Sequence, residues 1–72
     1  MKQAVIDLGS NTVRLSVYEV ERDGFKRVFT QKIAAGLAGY IQNGLMTDAG
    51  IMTAADALKR LLQQANMRAQ AV

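Results

Sequence analysis

The 72-residue chain contains no cysteine, no histidine, no tryptophan and no proline. Without cysteine or histidine, neither a disulfide nor a structural metal cluster can staple it together, and small domains rely on such devices. A chain of this length buries only about 60% of the surface that its unfolded form exposes. Its stability is therefore expected to come from a well-packed long helix, from further chain or from a partner. No apolar stretch approaches the roughly 18 residues needed to cross a bilayer. No signal peptide opens the sequence, because Asp7 interrupts the apolar run Ala4-Val5-Ile6 before a hydrophobic region can form. These absences exclude a membrane as partner and point to the cytoplasm. Repeats and linker-like composition are also missing.

Half the residues are hydrophobic and 21% are charged, which is a globular balance. The formal net charge of +3 favours anionic ligands at long range. It is also the charge of an ordinary soluble surface. The nine Lys and Arg residues are scattered along the sequence, which argues against a nucleic-acid duplex as partner.

Gln3 to Leu8 reads as a short strand. Its run Ala4-Val5-Ile6 is apolar on successive residues and predicts cover on both faces, as in a central strand. Gly9-Ser10-Asn11 is a turn signal. Thr12 to Glu21 is a second strand, with Val13, Leu15 and Val17 on one face and Arg14, Ser16 and Tyr18 on the other. Asp23-Gly24 predicts a type I′ hairpin turn. Phe25 to Ala34 follows as a third, edge strand with Phe25, Phe29 and Ile33 on one face. The glycine-punctuated stretch Ala35 to Met46 reads as a loop, pinned to the sheet by Leu37, Tyr40, Ile41 and Leu45. Thr47 is the N-cap candidate for a helix running to about Ala69, with Asp48 favouring the positive end of the helix dipole. Ile51, Ala55, Leu58, Leu62 and Ala65 form the stripe expected to cover the sheet. The order is β-β-β-α. A three-stranded sheet with one helix leaves a face bare, so a second copy or further chain is expected to cover it. Val72 bears no mark of a natural end.

The turn after the first strand carries the chemistry. Gly9 lacks a Cβ, so a bulky anion can approach the backbone. Successive amides in such a turn can form an anion-binding nest. Ser10 and Thr12 add hydroxyl donors and Asn11 adds an amide. Asp7, at the strand end, repels phosphate directly. It can instead hold a hard cation such as Mg²⁺ that bridges to phosphate oxygens, or orient an attacking water. Arg14 lies two residues past the turn and reads either as a phosphate contact, as an ion-pair partner of Asp7 or Glu19, or as a solvated strand arginine. Gly-Ser-Asn is equally the material of an ordinary hairpin turn, with Asp7 capping its own backbone. Neither a Walker A loop nor a G-x-G-x-x-G loop is present.

The run Ala4-Val5-Ile6-Asp7-Leu8-Gly9-Ser10-Asn11-Thr12-Val13-Arg14-Leu15 resembles the opening of the exopolyphosphatase/guanosine pentaphosphate phosphohydrolase (Ppx/GppA) family, within the sugar kinase, Hsp70 and actin superfamily. Asp-x-Gly-Ser/Thr is common to that superfamily, while the longer Asp-x-Gly-Ser-Asn-Ser/Thr-x-Arg-Leu form is much more specific. Gly44-Leu45-Met46-Thr47-Asp48-Ala49-Gly50-Ile51 is similar to the family segment that leads into its first long helix. The resemblance covers essentially the whole chain. It implies an α/β, ribonuclease-H-like (actin-like) domain, of which residues 1–72 form the N-terminal β-β-β-α portion, with sheet order 3-2-1 followed by parallel strands.

It further implies removal of a terminal phosphate from polyphosphate or (p)ppGpp by a water that Mg²⁺ or another divalent cation assists. Asp7 would be the catalytic and metal-holding residue. Gly9, Ser10, Asn11 and Thr12 would bind phosphate, and Arg14 would help to neutralise it. An arginine usual in the family after the third strand is replaced within Ala34-Ala35-Gly36, which puts a second phosphate contact in doubt. The family's catalytic glutamate and second, glycine-rich phosphate loop lie further along than residue 72, so this piece alone is not expected to turn over substrate. Two other readings stand beside this one. An ATP-dependent kinase of the superfamily would show an adenosine-binding segment later in its chain. A non-catalytic β-β-β-α interaction module, its helix stripe packed against a partner, would fold independently as a discrete oligomer and lack phosphate affinity.

Overall fold

In the computed structural model, which describes all of residues 1–72, three antiparallel strands are followed by one long helix. The strands are β1 (Lys2–Leu8), β2 (Thr12–Glu21) and β3 (Gly24–Ala34), in sheet order β1-β2-β3. The expected β-β-β-α order is what the chain adopts, with strand limits within a residue of those read from the sequence.

The β2–β3 connection differs from the expected type I′ turn. Glu21 pairs with Gly24, so Arg22 and Asp23 form the two-residue loop and Gly24 opens β3 at φ 149°. The glycine is needed for that φ, one position later than the Asp-Gly signal implied. A β-bulge between Val17 and Tyr18 then places Val17 opposite Phe29 and Tyr18 opposite Arg27, with Val28 as the extra residue. This slip moves Phe25 off the face that holds Phe29 and Ile33. Phe25 instead meets Tyr18 on the far side, ring centroids 5.6 Å apart and nearly perpendicular.

The helix α1 spans Asp48–Arg68. The Thr47 hydroxyl accepts from the Gly50 amide at 3.2 Å, and Asp48 lies in the first turn, as expected of this N-terminus. The face that packs shares Ala65 and the partly buried Leu58 with the expected stripe and is otherwise turned from it. Ala57, Leu61 and Ala65 are buried against Ala4, Val13, Leu15 and Val17. Ile51 and Leu62 stay about half exposed. Small alanines let the helix axis approach the sheet, while hydropathy alone favoured the bulkier stripe one position round. At its end the Arg68 guanidinium sits 3.8 Å from the Phe29 ring centroid.

The stretch before α1 is more ordered than a loop. Leu37–Tyr40 forms a 3₁₀ turn, and β4 (Ile41–Gln42) and β5 (Leu45–Met46) form a small hairpin. Asn43 and Gly44 join them with φ of 53° and 78°, the two positive values of a type I′ turn. Leu37 is buried and Tyr40 half-buried, but Ile41 and Leu45 are exposed and pin nothing. Tyr40 and Met46 close over Gly50. A Cβ at that position would lie 2.5 Å from Tyr40 Cβ and 2.7 Å from Met46 Cγ. Gly50→Ala is therefore expected to lose about 1–3 kcal/mol to overpacking, against a helix-propensity gain of at most about 1 kcal/mol. Thermal unfolding checks this, and a raised midpoint would show that the hairpin does not press on the helix.

After α1 the chain returns to β1. Gln3 and Ala71 form a parallel bridge, the Ala4 amide donating to the Ala71 carbonyl at 2.8 Å and the Gln70 amide to the Lys2 carbonyl at 3.0 Å. A parallel neighbour thus begins on the outer side of β1. This explains the apolar run of a central strand, although Val5, on the face away from the helix, is half exposed here. No helix is long and apolar enough to cross a membrane.

Candidate functional site

The turn between β1 and β2 closes on one hydrogen bond, from the Gly9 amide to the Thr12 carbonyl at 3.0 Å. Its outward carbonyls are taken by the segment after β3. The amides of Ala35 and Gly36 both donate to the Asn11 carbonyl at 3.0 Å, and the Ala38 amide donates to the Ser10 carbonyl at 2.8 Å. Three main-chain donors thus clamp two consecutive turn residues from behind. Sequence reasoning missed this clamp because it consists of backbone. Its one legible sign is the buried Leu37 between the donors, an apolar residue in a glycine-rich stretch.

With its carbonyls occupied, the turn offers side chains to solvent. Asp7, Gly9, Ser10, Asn11, Thr12 and Arg14 line one depression of about 280 Å³. These are the six residues the sequence singled out, and the fold brings all of them together. None of their side chains takes part in a hydrogen bond or ion pair within the chain. Asp7 pairs directly with Arg14 across β1 and β2, but the only salt bridge joins the Met1 ammonium to Glu19 at 3.6 Å. Neither ion-pair alternative for Arg14 is formed. The Asp7 side chain does not cap its own backbone either.

Asp7 is the sole carboxylate lining the depression, and no cluster of three metal-ligating side chains occurs in the chain. A fixed calcium-type cage would need more protein oxygens. Mg²⁺ demands less of the protein, since it keeps several waters and is commonly held by one or two carboxylates together with phosphate oxygens. One exposed aspartate beside free hydroxyl, amide and guanidinium donors fits that mode.

Three antiparallel strands, a helix laid back over them and a parallel strand starting beside β1 make the opening of a ribonuclease-H-like α/β domain, as the sequence resemblance implied. Solved structures carry the likeness to the family level. The Ppx/GppA phosphatase of Aquifex aeolicus, in its type II variant, matches with a TM-score of 0.81 over 93% of this chain and 23% of its own, at 20% identity. An exopolyphosphatase from Cytophaga hutchinsonii matches with a TM-score of 0.78 over all of this chain and 24% of its own, at 27% identity. The chain therefore fits the N-terminal part of the Ppx/GppA fold, and it spans about a quarter of the length of these proteins. No family model and no curated protein matches the sequence.

Proposed function

We propose that the turn from Asp7 to Thr12 is the first phosphate subsite of a phosphohydrolase that removes a terminal phosphate from polyphosphate or guanosine polyphosphate. The observation that carries this reading is the clamped turn: its carbonyls are bound from behind, and six polar or glycine positions converge unpaired on one depression. Ser10, Asn11 and Thr12 donate to phosphate oxygens, and Arg14 neutralises their charge. Asp7 holds hydrated Mg²⁺, which when bound supplies charge neutralisation to the phosphate and acidity to water. Ala34 stands opposite Thr12 at the sheet end, so the position where the family carries an arginine borders the turn but brings no charge here.

Residues 1–72 are on this reading part of one actin-like domain of a cytoplasmic hydrolase. The remainder of that domain, with the catalytic glutamate and the second phosphate loop that the resemblance implies, is the natural partner of the half-exposed helix residues Ile51 and Leu62. A homodimer is the other way of covering them.

Calorimetric titration of pyrophosphate, with and without Mg²⁺, tests the reading. The chain is expected to bind pyrophosphate more tightly with Mg²⁺. Asp7→Ala should abolish that dependence and weaken binding at least about tenfold, or ~1.4 kcal/mol. Because Asp7 is exposed and unpaired, the variant's stability should change by no more than about 0.5 kcal/mol. Binding by Asp7→Ala with an undiminished Mg²⁺ effect would remove the metal role.

A further inference from the structure

The largest depression of the chain, about 370 Å³, lies between the end of β3 and α1. Ile33, Ala35, Tyr40 and Ala57 give it apolar walls, and Asp56 and Arg60 of the helix bring one charge of each sign. The two are one helical turn apart, in the order that favours an ion pair, yet they form none. Neither side chain makes a hydrogen bond within the chain. Thr53, in the same wall, donates its hydroxyl proton to the Ala49 carbonyl at 2.8 Å, so its oxygen is left to accept. The depression also stays clear of the surface that further chain is expected to cover. Asp56 and Arg60 precede the buried Ala57 and Leu61 by one residue, which puts them about 100° round the helix on the β3 side. Leu58 and Leu62 follow the same two residues and lie on the other flank, toward β1, where Ala71 begins a parallel neighbour. β3 is the opposite edge of the sheet.

We propose that this depression is a binding site for a small zwitterion with an aliphatic side chain, the class of the free α-amino acids leucine and valine. It is a second site, and it does not rest on the reading of the turn. Its walls select the ligand by elimination. An anion meets Asp56, a cation meets Arg60, and a neutral apolar molecule desolvates both charges without pairing either. A zwitterion satisfies both. Its ammonium donates to the Asp56 carboxylate and the Thr53 oxygen, and its carboxylate accepts from the Arg60 guanidinium. Asp56 and Arg60 are separated by roughly 6 Å along the helix axis, a gap that the two charged groups on one α-carbon bridge. The aliphatic part lies against Ile33, Ala35 and Ala57, and the short side chains of the two alanines leave room for branched methyls. The volume falls at the low end of the roughly 300–1,000 Å³ of small-molecule sites, which suits a ligand of this size.

The test is calorimetric titration of the chain with leucine, leucinamide, N-acetylleucine and glycine. Leucinamide keeps the cation and lacks the anion, N-acetylleucine does the reverse, and glycine keeps both charges without the side chain. Leucine is expected to bind at least about tenfold more tightly than any of the other three. Arg60→Gln should reduce leucine to the affinity of leucinamide, and Asp56→Asn should reduce it to that of N-acetylleucine. Lys59→Gln, at an exposed position between them in sequence, should leave leucine affinity within about twofold. Asp56 and Arg60 are exposed and unpaired. The melting midpoint of each variant should therefore stay within about 4 °C of the wild type, which separates loss of the site from loss of the fold. Leucinamide or N-acetylleucine bound as tightly as leucine would overturn the proposal, as would glycine bound as tightly or an equal loss in Lys59→Gln. Absence of leucine binding at millimolar concentrations would overturn it as well, and would leave Asp56 and Arg60 as two solvated charges beside an empty groove.

Discussion

Replacing Leu61 by alanine is expected to cost about 2–5 kcal/mol. Leu61 is one of four large side chains that are fully buried, the others being Leu15, Val13 and Val17. It comes from the middle of α1 and meets the centre of the sheet, flanked by Ala57 and Ala65, so no neighbouring bulk stands ready to fill the space it vacates. At about 0.05–0.15 kcal/mol per residue, 72 residues hold roughly 4–11 kcal/mol in all. One truncation at Leu61 thus removes a large share. The melting midpoint should fall by at least about 8 °C. Leu62→Ala provides the contrast: its side chain is half exposed, and its loss should cost less than about 1 kcal/mol. Equal losses at Leu61 and Leu62 would mean that the helix sits rotated by about one residue from the packing described here.

That pair of neighbours shows what the sequence of this chain conveys and what it hides. The existence and limits of α1 were legible from Thr47, Asp48 and the apolar period. Which face of it packs was legible only in part. Of the expected stripe of Ile51, Ala55, Leu58, Leu62 and Ala65, Ala65 is buried and Leu58 packs at the edge of the core, but Ala57 and Leu61 take the central places while Ile51 and Leu62 stay half exposed. Close approach of a helix to a sheet rewards small residues, a tertiary demand that no local window contains. The same holds for Phe25. Alternation placed it with Phe29, and one bulge at Val17/Tyr18 moved it to the other face. The Asn43-Gly44 dipeptide, by contrast, is a type I′ signal in the sequence itself, but strands of two residues each leave no alternation around it. The six residues that line the depression at the turn lie within eight positions of one another, so their grouping is legible locally. The backbone clamp from Ala35, Gly36 and Ala38 is not, since register decides it.

Gly9→Ala is expected to damage both the turn and its ligand site. The reason differs from the one the sequence offers, which is room for an anion. A Cβ on Gly9 would stand 2.9 Å from the Thr12 carbonyl oxygen, the atom that the Gly9 amide already binds at 3.0 Å. The obstacle is backbone and cannot swing aside as a long side chain can. Thr12 is held in its turn by pairing with Ala34, and Asn11 beside it by the amides of Ala35 and Gly36. Relief therefore means opening the Gly9–Thr12 bond or loosening the clamp. Overpacking of this kind costs about 1–3 kcal/mol, which lowers the melting midpoint of a domain this size by roughly 4–24 °C. Pyrophosphate affinity should fall at least about tenfold as well, since donors on Ser10, Asn11 and Thr12 converge only while the turn is closed. The two readouts separate the roles of the glycine. A lower midpoint with unchanged affinity would make the turn a structural corner only and count against a phosphate subsite there. Lost affinity at an unchanged midpoint would mean that the added methyl meets the ligand and not Thr12, and the turn would then hold its phosphate closer to the backbone than the clamp alone requires.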